Sequence, residues 1–206
     1  MANIFIRILR GLSLPRLRTI YYGLRFGKGS LRGLIYRPVC FTAKHISWGK
    51  GLVVYKNCRV EGVSQYGGKT YVPLIELGEN VSFQQNCHIT CAQHLYIGNN
   101  TALANNVTVT DINHCYEDVT TTPKSQPIEV SPVIIGEDCT IYNNAVICPG
   151  TNLGKHCVVG ANSVVNGIFP DFSIIAGAPA RIVKRYDVIE KRWRPTNPDG
   201  SFKIKE

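Results

Sequence analysis

The chain has 206 residues, which is long enough for one well-buried domain with an appendage. Charged residues make up 18% of it, below the usual quarter or so, and its nineteen Gly and eleven Pro indicate many turns. The net charge of +9 is concentrated near the N-terminus, since residues 1–60 hold twelve Lys and Arg and no Asp or Glu. No recognition-helix, zinc or aromatic RNA-binding motif accompanies this charge, so nucleic-acid binding is not expected.

The basic N-terminal stretch begins MANIFIRILRGLSLPRLRTIYYGLRFG. Arg7 and Arg10 interrupt the apolar core that a signal peptide needs, and no run is long enough to span a bilayer, so we expect a cytoplasmic chain. Two interpretations stay open: solvated short helices packed on the main domain, or peripheral contact of residues 1–33 with an anionic membrane at its inner face. In the second case the lipid-facing side chains would be Ile4, Phe5, Ile8, Leu9 and Leu12.

Aliphatic residues recur at every sixth position, which is the main structural signal in the chain. The clearest series is Ile135, Ile141, Ile147, Leu153, Val159 and Val165. The same step links Leu77, Phe83 and Ile89 and then, after a slip of two residues, Ile97, Leu103 and Val109. A period of six is neither helical nor that of a hairpin. It predicts a chain that forms a short strand, turns a corner and repeats, so that stacked coils bury a continuous column in an all-β solenoid.

The same rhythm explains half of the eight cysteines. Cys58, Cys87, Cys139 and Cys157 fall at the small position four residues after an apolar residue of the repeat. A buried free cysteine behaves as a small apolar residue. Because no pair has the spacing of a zinc or redox site, we interpret these four as core filler and expect neither disulfides nor a metal site.

The repeat is interrupted twice. The first interruption, GVSQYGGKTYVP, spans residues 62–73, and the second begins TDINH at residue 110. After residue 180 the charged sequence with Pro195 and Pro198 predicts a short helix and a loose tail. We therefore expect a basic amphipathic segment at 1–45, a solenoid at 46–180 with a projecting loop at 110–132, and a C-terminal helix and tail at 181–206.

The hexad array, the TDINH loop and the closing VVGANSVVNGIFPDFSIIAGAPARIV together resemble the hexapeptide-repeat acyltransferases, above all the maltose, galactoside and polysaccharide O-acetyltransferases. The resemblance covers about residues 46–186. It implies a left-handed parallel β-helix, here with helical segments at both ends, and a homotrimer with active sites between subunits. One departure is TIY at Thr140–Tyr142, where many relatives have Trp-Ile-Gly, so the shape of this pocket is expected to differ.

By position in TDINH, the resemblance makes His114 the catalytic base. A neutral imidazole can take the proton of a sugar hydroxyl as it attacks the thioester of acetyl-CoA, in a direct ternary complex without an acyl-enzyme. Asp111 either orients the imidazole or the acceptor, or caps the loop through its carboxylate. Cys115 is not expected to act as a nucleophile paired with His114, because adjacent side chains on an extended chain point in opposite directions.

The resemblance also implies an acetyl-CoA groove along the C-terminal coils. The matching positions are Tyr142, Asn143, Gly160, Ala161, Ala178, Arg181 and Lys184. The small residues leave room for the pantetheine arm, and Arg181 and Lys184 suit the phosphates.

Acceptor contacts are expected from Gln84, Asn86 and Asn106, since amides suit sugar hydroxyls. Asparagines there could equally form ladders at solenoid corners. The expected acceptor is a surface polysaccharide or lipopolysaccharide precursor.

Three rival functions stay open from the sequence. Amino-sugar N-acetylation keeps the enzyme class and changes the acceptor atom. A non-catalytic glycan-binding solenoid would not need the TDINH loop joined to the closing segment. A zinc enzyme of the γ carbonic anhydrase type would need His88, His94 and His114, but His88 and His94 lie six residues apart and are expected on different faces.

Overall fold

The structure is a computed structural model that describes residues 13–203. Within this range one helix, α1 (Leu14–Phe26), precedes the strands β1 to β25, and short 3-10 turns occur at Ala43–His45 and Pro123–Ser125. The described part of the chain contains no helix with the length and apolarity to cross a bilayer. Ile4, Phe5, Ile8, Leu9 and Leu12 lie outside the described residues.

Most strands form three parallel sheets, the three faces of a coil. Sheet 1 contains, in spatial order, β1 (Gly33–Ile35), β4 (Leu52–Val54), β9 (Ser82–Phe83), β12 (Ala102–Leu103), β17 (Thr140–Ile141), β20 (Val158–Val159), β23 (Ser173–Gly177), β24 (Ala180–Asp187) and β25 (Arg192–Pro195). Sheet 2 contains β2 (Cys40–Phe41), β5 (Arg59–Gly62), β10 (His88–Cys91), β13 (Thr108–Thr110), β18 (Val146–Ile147) and β21 (Val164–Val165). Sheet 3 contains β22 (Ile168–Phe169), β19 (Asn152–Leu153), β16 (Val133–Ile135), β11 (His94–Ile97), β8 (Leu74–Leu77) and β3 (Ile46–Trp48).

Residues six apart along the chain lie on successive faces, and residues one coil apart stack in register. In sheet 1, Phe83 pairs with Leu103, which pairs with Ile141. The residues of the six-residue series from Leu77 to Val165 are all buried, and Phe83 is the largest side chain among those fully buried. The predicted solenoid is therefore confirmed. Cys58, Cys87, Cys139 and Cys157 are likewise buried, and all eight cysteines are free.

The corner between sheets 1 and 2 carries a ladder of asparagines. Asn106 accepts from Nδ2 of Asn86 at 3.1 Å and donates to Oδ1 of Asn144 at 3.0 Å, and Asn144 donates to Asn162 at 3.1 Å. All four have positive φ, 57–63°. Asparagine tolerates this left-handed conformation better than most residues, and its amide both donates and accepts, so one residue type meets both needs of the corner.

This ladder gives a stability prediction. We expect Asn106→Ala to be less stable than Asn106→Gly by about 1 kcal/mol, because both lose the amide bonds but only alanine is strained at a φ of +61°. Urea denaturation of the two variants beside the unaltered protein measures this difference. Equal midpoints would show that the corner relaxes out of the left-handed conformation.

The irregularities of the repeat all occur at another corner, between sheets 2 and 3. After β5 the chain forms the antiparallel hairpin β6 (Gln65–Tyr66) and β7 (Lys69–Thr70). After β10 the turn to β11 is longer, which accounts for the two-residue slip. After β13 the chain leaves the coil through β14 (Ile112–His114) and returns through the antiparallel β15 (Ile128–Val130). One corner of the solenoid therefore carries every insertion.

Helix α1 covers the N-terminal end of the solenoid. Pro15 lies in its first turn, and Gly27 ends it in a left-handed conformation with φ of 64°. The Tyr22 ring stacks on Phe41 of β2 at 5.2 Å, and the Thr19 hydroxyl accepts from the Ile35 amide. The parallel ladders begin at β1 and β2, upstream of the boundary at residue 46 expected from the sequence.

The helix predicted near the C-terminus is wrong for the described residues. The segment instead continues sheet 1 as the antiparallel strands β24 and β25. Alternating β-branched and aromatic residues around Ile182 and Tyr186 favour a strand that pairs with the exposed edge of β23. The charged composition that predicted a helix reflects the solvent-facing side of this hairpin.

Candidate active site

A cleft of about 520 Å³ lies on the outer face of sheet 2. Its floor comes from β5, β10 and β13, and its walls come from the β6–β7 hairpin and the β14–β15 excursion. The lining residues are Arg59, Glu61, Val63, Gln65, Tyr66, His88, Thr90, Thr108, Thr110, Ile112, His114 and Ile128. Two of the three insertions at this corner, the hairpin and the excursion, thus border one concave surface.

His114 reaches this cleft from the end of β14. It pairs with Ile128 across the two-stranded excursion, and the next amide, that of Cys115, donates to the carbonyl of Pro127 at 3.2 Å. The side chain is exposed, so its imidazole can meet a molecule that enters the cleft. Strand pairing on both sides of the residue fixes the backbone that carries the ring.

Tyr66, at the end of β6, packs against His114. The two rings meet edge to face, with centroids 5.1 Å apart and planes at 70°. The Tyr66 hydroxyl donates to the carbonyl of Lys124 at 3.2 Å, and the Tyr71 hydroxyl donates to that of Ile128 at 3.3 Å. The hairpin therefore holds the excursion at two points and limits the rotation of the imidazole. This insertion interrupts the repeat visibly, but no role was predicted for it; the signal for a hairpin was its YGGKTY core, a glycine pair between strand-forming residues.

The floor of the cleft is hydroxylated and charged. Thr90 donates to Thr110 Oγ1 at 2.9 Å, and Arg59 forms an ion pair with Glu61. His88 stands beside that pair, and its pKa is lowered, first by partial burial and then by the charge of Arg59, so its imidazole is held neutral at neutral pH. Arg59, Glu61 and Tyr66 were not identified from the sequence, because each is an unremarkable outward position of a hexad or its insertion.

Asp111 lies at the base of the excursion and is fully buried. One carboxylate oxygen accepts from the Ala92 amide at 2.8 Å, and the other accepts from the amides of Gln93 and His94 at 2.8 and 2.9 Å. The thiol of Cys91 also points to this carboxylate at 3.3 Å. These bonds occupy the carboxylate, and none joins it to His114. The carboxylate therefore caps the lengthened turn between β10 and β11, and not the loop that Asp111 begins, whereas its predicted orienting role has no bond to His114 behind it.

The environment of Cys115 disfavours it as a competing nucleophile. The pKa of its thiol is raised, first by loss of solvation and then by the neighbouring carboxylates of Glu129 and Glu117. A raised pKa reduces the thiolate fraction that nucleophilic attack requires.

The residues predicted to bind the acceptor do not line the cleft. Asn86 and Asn106 belong to the corner ladder, where their amides bond to one another, and Gln84 lies at the same corner. The outward direction from this corner differs from that of the sheet 2 face, so a contact of these residues with the acceptor stays a prediction. His88, two residues after Asn86, does line the cleft.

The predicted donor residues gather at the C-terminal coils. Tyr142, Asn143, Gly160 and Ala161 follow β17 and β20 at the corner between sheets 1 and 2. Ala178 lies in the turn after β23, and Arg181 and Lys184 project from β24, which pairs with β23. Apart from the half-buried Gly160 these side chains are exposed. They border sheet 2 on the side opposite the corner from which His114 emerges.

The histidines considered for zinc are divided between faces. His94 lies on sheet 3, where its Nε2 is 2.7 Å from Glu76, whereas His88 and His114 line the cleft on sheet 2. Among residues 13–203 no three His, Cys, Asp or Glu side chains are placed to hold a metal ion.

Comparison with known proteins agrees with this architecture. The family described as bacterial transferase hexapeptide (six repeats) matches residues 132–167. WbbJ of Escherichia coli strain K12, assigned as a lipopolysaccharide biosynthesis O-acetyl transferase, is 37% identical over 127 residues, 58% of this chain and 65% of that protein. Rv3034c of Mycobacterium tuberculosis, assigned as an acetyltransferase, is 30% identical over 178 residues, 82% of this chain and 59% of that protein. The chain thus spans less than two thirds of the length of either relative.

Among solved structures, a variant of AntD, an N-acyltransferase from Bacillus cereus in complex with dTDP and coenzyme A, superimposes with a TM-score of 0.63. The match covers 86% of this chain and 91% of AntD at 15% sequence identity. The three parallel faces and the matched repeat define a left-handed parallel β-helix. Residues 132–167 thus carry the repeat of the bacterial hexapeptide transferases, and 58% and 82% of the chain are similar to the two acetyltransferases named above.

Proposed function

We propose that this protein transfers an acetyl group from acetyl-CoA to a hydroxyl of a saccharide, with His114 as the general base. The observation that carries the proposal is an exposed imidazole, held on a paired excursion, at the edge of a cleft with a floor of threonine hydroxyls and an Arg–Glu pair. Such a surface suits a polyhydroxylated molecule, because hydroxyls both donate and accept hydrogen bonds.

In the proposed reaction the acceptor hydroxyl gives its proton to an unprotonated ring nitrogen of His114 while its oxygen bonds to the thioester carbonyl carbon. The carbonyl oxygen then carries the negative charge of a tetrahedral intermediate, and a backbone N–H at the coil is the proposed donor to it. As the C–S bond breaks, the imidazolium returns the proton to the departing thiolate. The products are the acetyl ester and coenzyme A, and the imidazole is again neutral.

For the donor, we propose the corner at Tyr142, Asn143, Gly160 and Ala161 as the pantetheine groove. A Cβ on Gly160 would lie 3.2 Å from that of Ala176, which indicates how closely these coils pack there. Arg181 and Lys184 supply the positive charge that the coenzyme phosphates require. Coenzyme A in the similarly folded AntD supports this choice of donor.

His114 and the donor corner border sheet 2 on opposite sides. We therefore propose a homotrimer in which the donor groove of one subunit faces the His114 of the next. Sedimentation of the purified chain tests the assembly. A monomer with full activity would contradict it.

The acceptor atom separates two candidate functions. The similarity to WbbJ favours a hydroxyl of a lipopolysaccharide-type saccharide, whereas the likeness to AntD, an N-acyltransferase of which another variant binds dTDP-4-amino-4,6-dideoxyglucose, favours an amino sugar. Thiol release from acetyl-CoA, measured with matched pairs of sugars that carry a hydroxyl or an amine at one position, tests both. We expect ester products that alkaline hydroxylamine cleaves. Amide products, which resist it, would favour N-acetylation, and no thiol release with any acceptor would reject the proposed class.

Tyr66 provides a further test of the cleft. We expect Tyr66→Ala to lower kcat/KM about tenfold, because the imidazole loses the ring that restricts it and small displacements of a base reduce the rate. Tyr66→Phe keeps the ring and loses only the bond to the Lys124 carbonyl, so its kcat/KM is expected to stay within about threefold. An alanine variant as active as the phenylalanine variant would remove Tyr66 from the site.

A further inference from the structure

Helix α1 has an apolar face that the solenoid does not cover. Leu14, Leu17, Tyr21 and Leu24 are 72%, 42%, 60% and 71% exposed. At about 100° per residue they lie within roughly 80° of one another on the helix surface. We name these four residues the α1 stripe. An α-helix in a folded domain normally turns such a stripe toward the core, so here it faces outward for another reason.

The opposite face of the helix is the one that packs on the protein. Thr19 and Gly23 are buried, and Tyr22 and Phe26 pack against the core. Arg18 donates to the carbonyl of Ile35 at 3.2 Å. These contacts fix the rotation of α1, so the α1 stripe cannot turn inward without breaking them.

The surroundings of the α1 stripe are strongly basic. Residues 13–60 contain ten Lys and Arg and no Asp or Glu. Arg25 adjoins the stripe on one side, Arg16 lies beyond its other side, and both are exposed. An apolar stripe flanked by cations is the pattern of a helix that lies in the interface of an anionic bilayer, with its apolar residues below the headgroups and its basic residues among the phosphates.

We propose that the α1 stripe docks this protein on an anionic membrane surface. The charge argues against a second copy of the chain as occupant, because a symmetric contact would bring two surfaces with the same excess of cations together. The same excess of positive charge favours a partner with negative charge. An anionic lipid surface offers both that charge and the apolar interior that the four side chains of the α1 stripe require.

The docked end adjoins the cleft. Tyr22 of α1 packs on Phe41 in β2, and β2 pairs with β5, which carries Arg59 and Glu61 of the cleft floor. The cleft thus begins one strand, roughly 5 Å, from the strand beneath the helix. If the protein acts as proposed above, a cleft this close to the membrane favours a saccharide acceptor that is attached to a lipid. Only this statement about the acceptor rests on the proposed function.

Flotation of the full chain with vesicles tests the docking and does not depend on catalysis. We expect the chain to float with phosphatidylglycerol–phosphatidylcholine vesicles and not with phosphatidylcholine alone. The combined variant Leu14→Gln, Leu17→Gln, Tyr21→Gln and Leu24→Gln is expected to bind about tenfold or more weakly, because interfacial binding scales with buried apolar area. Glutamine retains good helix propensity, and thermal unfolding of the variant checks its fold.

A matched control removes equally exposed apolar side chains away from α1. Ile168→Gln, Val188→Gln and Ile189→Gln replace residues that are 81%, 71% and 93% exposed, and this variant is expected to float like the unaltered chain. Equal flotation of the α1 variant, equal binding to both vesicle types, or no binding at all would overturn the proposal. So would a change of oligomeric state in the α1 variant by sedimentation, which would show that a second copy covers the stripe. Any of these results would leave the proposed acetyl transfer unaffected.

Discussion

Replacing His114 with alanine is expected to lower kcat for acetyl transfer by about 10²–10⁴-fold, the contribution typical of a positioned general base. The ring is exposed in the cleft and its backbone is fixed by strand pairing, so its removal should not disturb the coil. The measurement is thiol release from acetyl-CoA at saturating acceptor, with acetyl-CoA affinity determined separately by calorimetry. That affinity is expected to change little, because the proposed contacts to the pantetheine arm and the phosphates come from the C-terminal coils and not from the imidazole.

His94→Ala is the matched control for this experiment. It removes a half-buried imidazole that bonds to Glu76 on a different face, and the kcat of this variant is expected to stay near that of the unaltered chain. If His114→Ala retained full turnover, or if both variants lost it equally, His114 would not be the base.

Replacing Asp111 with alanine is expected to lower the free energy of unfolding by about 3–5 kcal/mol. The buried carboxylate accepts from three backbone amides, and each buried donor left without a partner costs roughly 1–3 kcal/mol before water or relaxation compensates part of it. Urea denaturation measures the change. Asp111→Asn keeps the shape of the side chain but turns an NH₂ group toward amide donors, so it is expected to lie between alanine and the unaltered chain.

Asp171→Ala is the control for the buried environment. Asp171 is exposed and accepts from a single amide, that of Lys155, at 2.9 Å, so its loss is expected to cost no more than about 1.5 kcal/mol. A contrary result would be an Asp111→Asn chain as stable as the original whose kcat falls as far as that of His114→Ala. That outcome would return Asp111 to an orienting role in catalysis.

The period of six was sufficient to predict the solenoid and its core, because each coil repeats one simple physical requirement. Every strand must bury one large apolar residue and every corner must accommodate a small one. The burial of the six-residue series from Leu77 to Val165 could therefore be predicted from its spacing alone. The two-residue slip after Ile89 was also visible, but its cause was not. The slip marks the lengthened turn between β10 and β11, which Asp111 caps from the next coil. The contact of Asp111 with Gln93 joins residues 18 apart, and no local sequence pattern predicts it.

The cleft was less predictable than the coil. His114 was found by its motif, whereas Arg59, Glu61 and Tyr66 became its neighbours only through the stacking of β5 beside β10 and the folding of the hairpin over the excursion. The asparagines at 86 and 106 illustrate the opposite problem. Their chemistry suits sugar binding and corner geometry equally well, and the corner role becomes visible only in the backbone φ and the amide ladder.

Because all insertions occur at one corner, the residues that stabilise the solenoid are separate from those that shape the cleft. The stacked coils set the length and rigidity of the solenoid. The hairpin and the excursion, which leave it between sheets 2 and 3, contact each other and do not change the strand register of the coils. Exchange of the hairpin or the excursion for a segment from a related protein should therefore alter which molecule is accommodated without requiring new packing in the column. Selectivity in such a scaffold can diverge through a few dozen residues while the remainder stays the same.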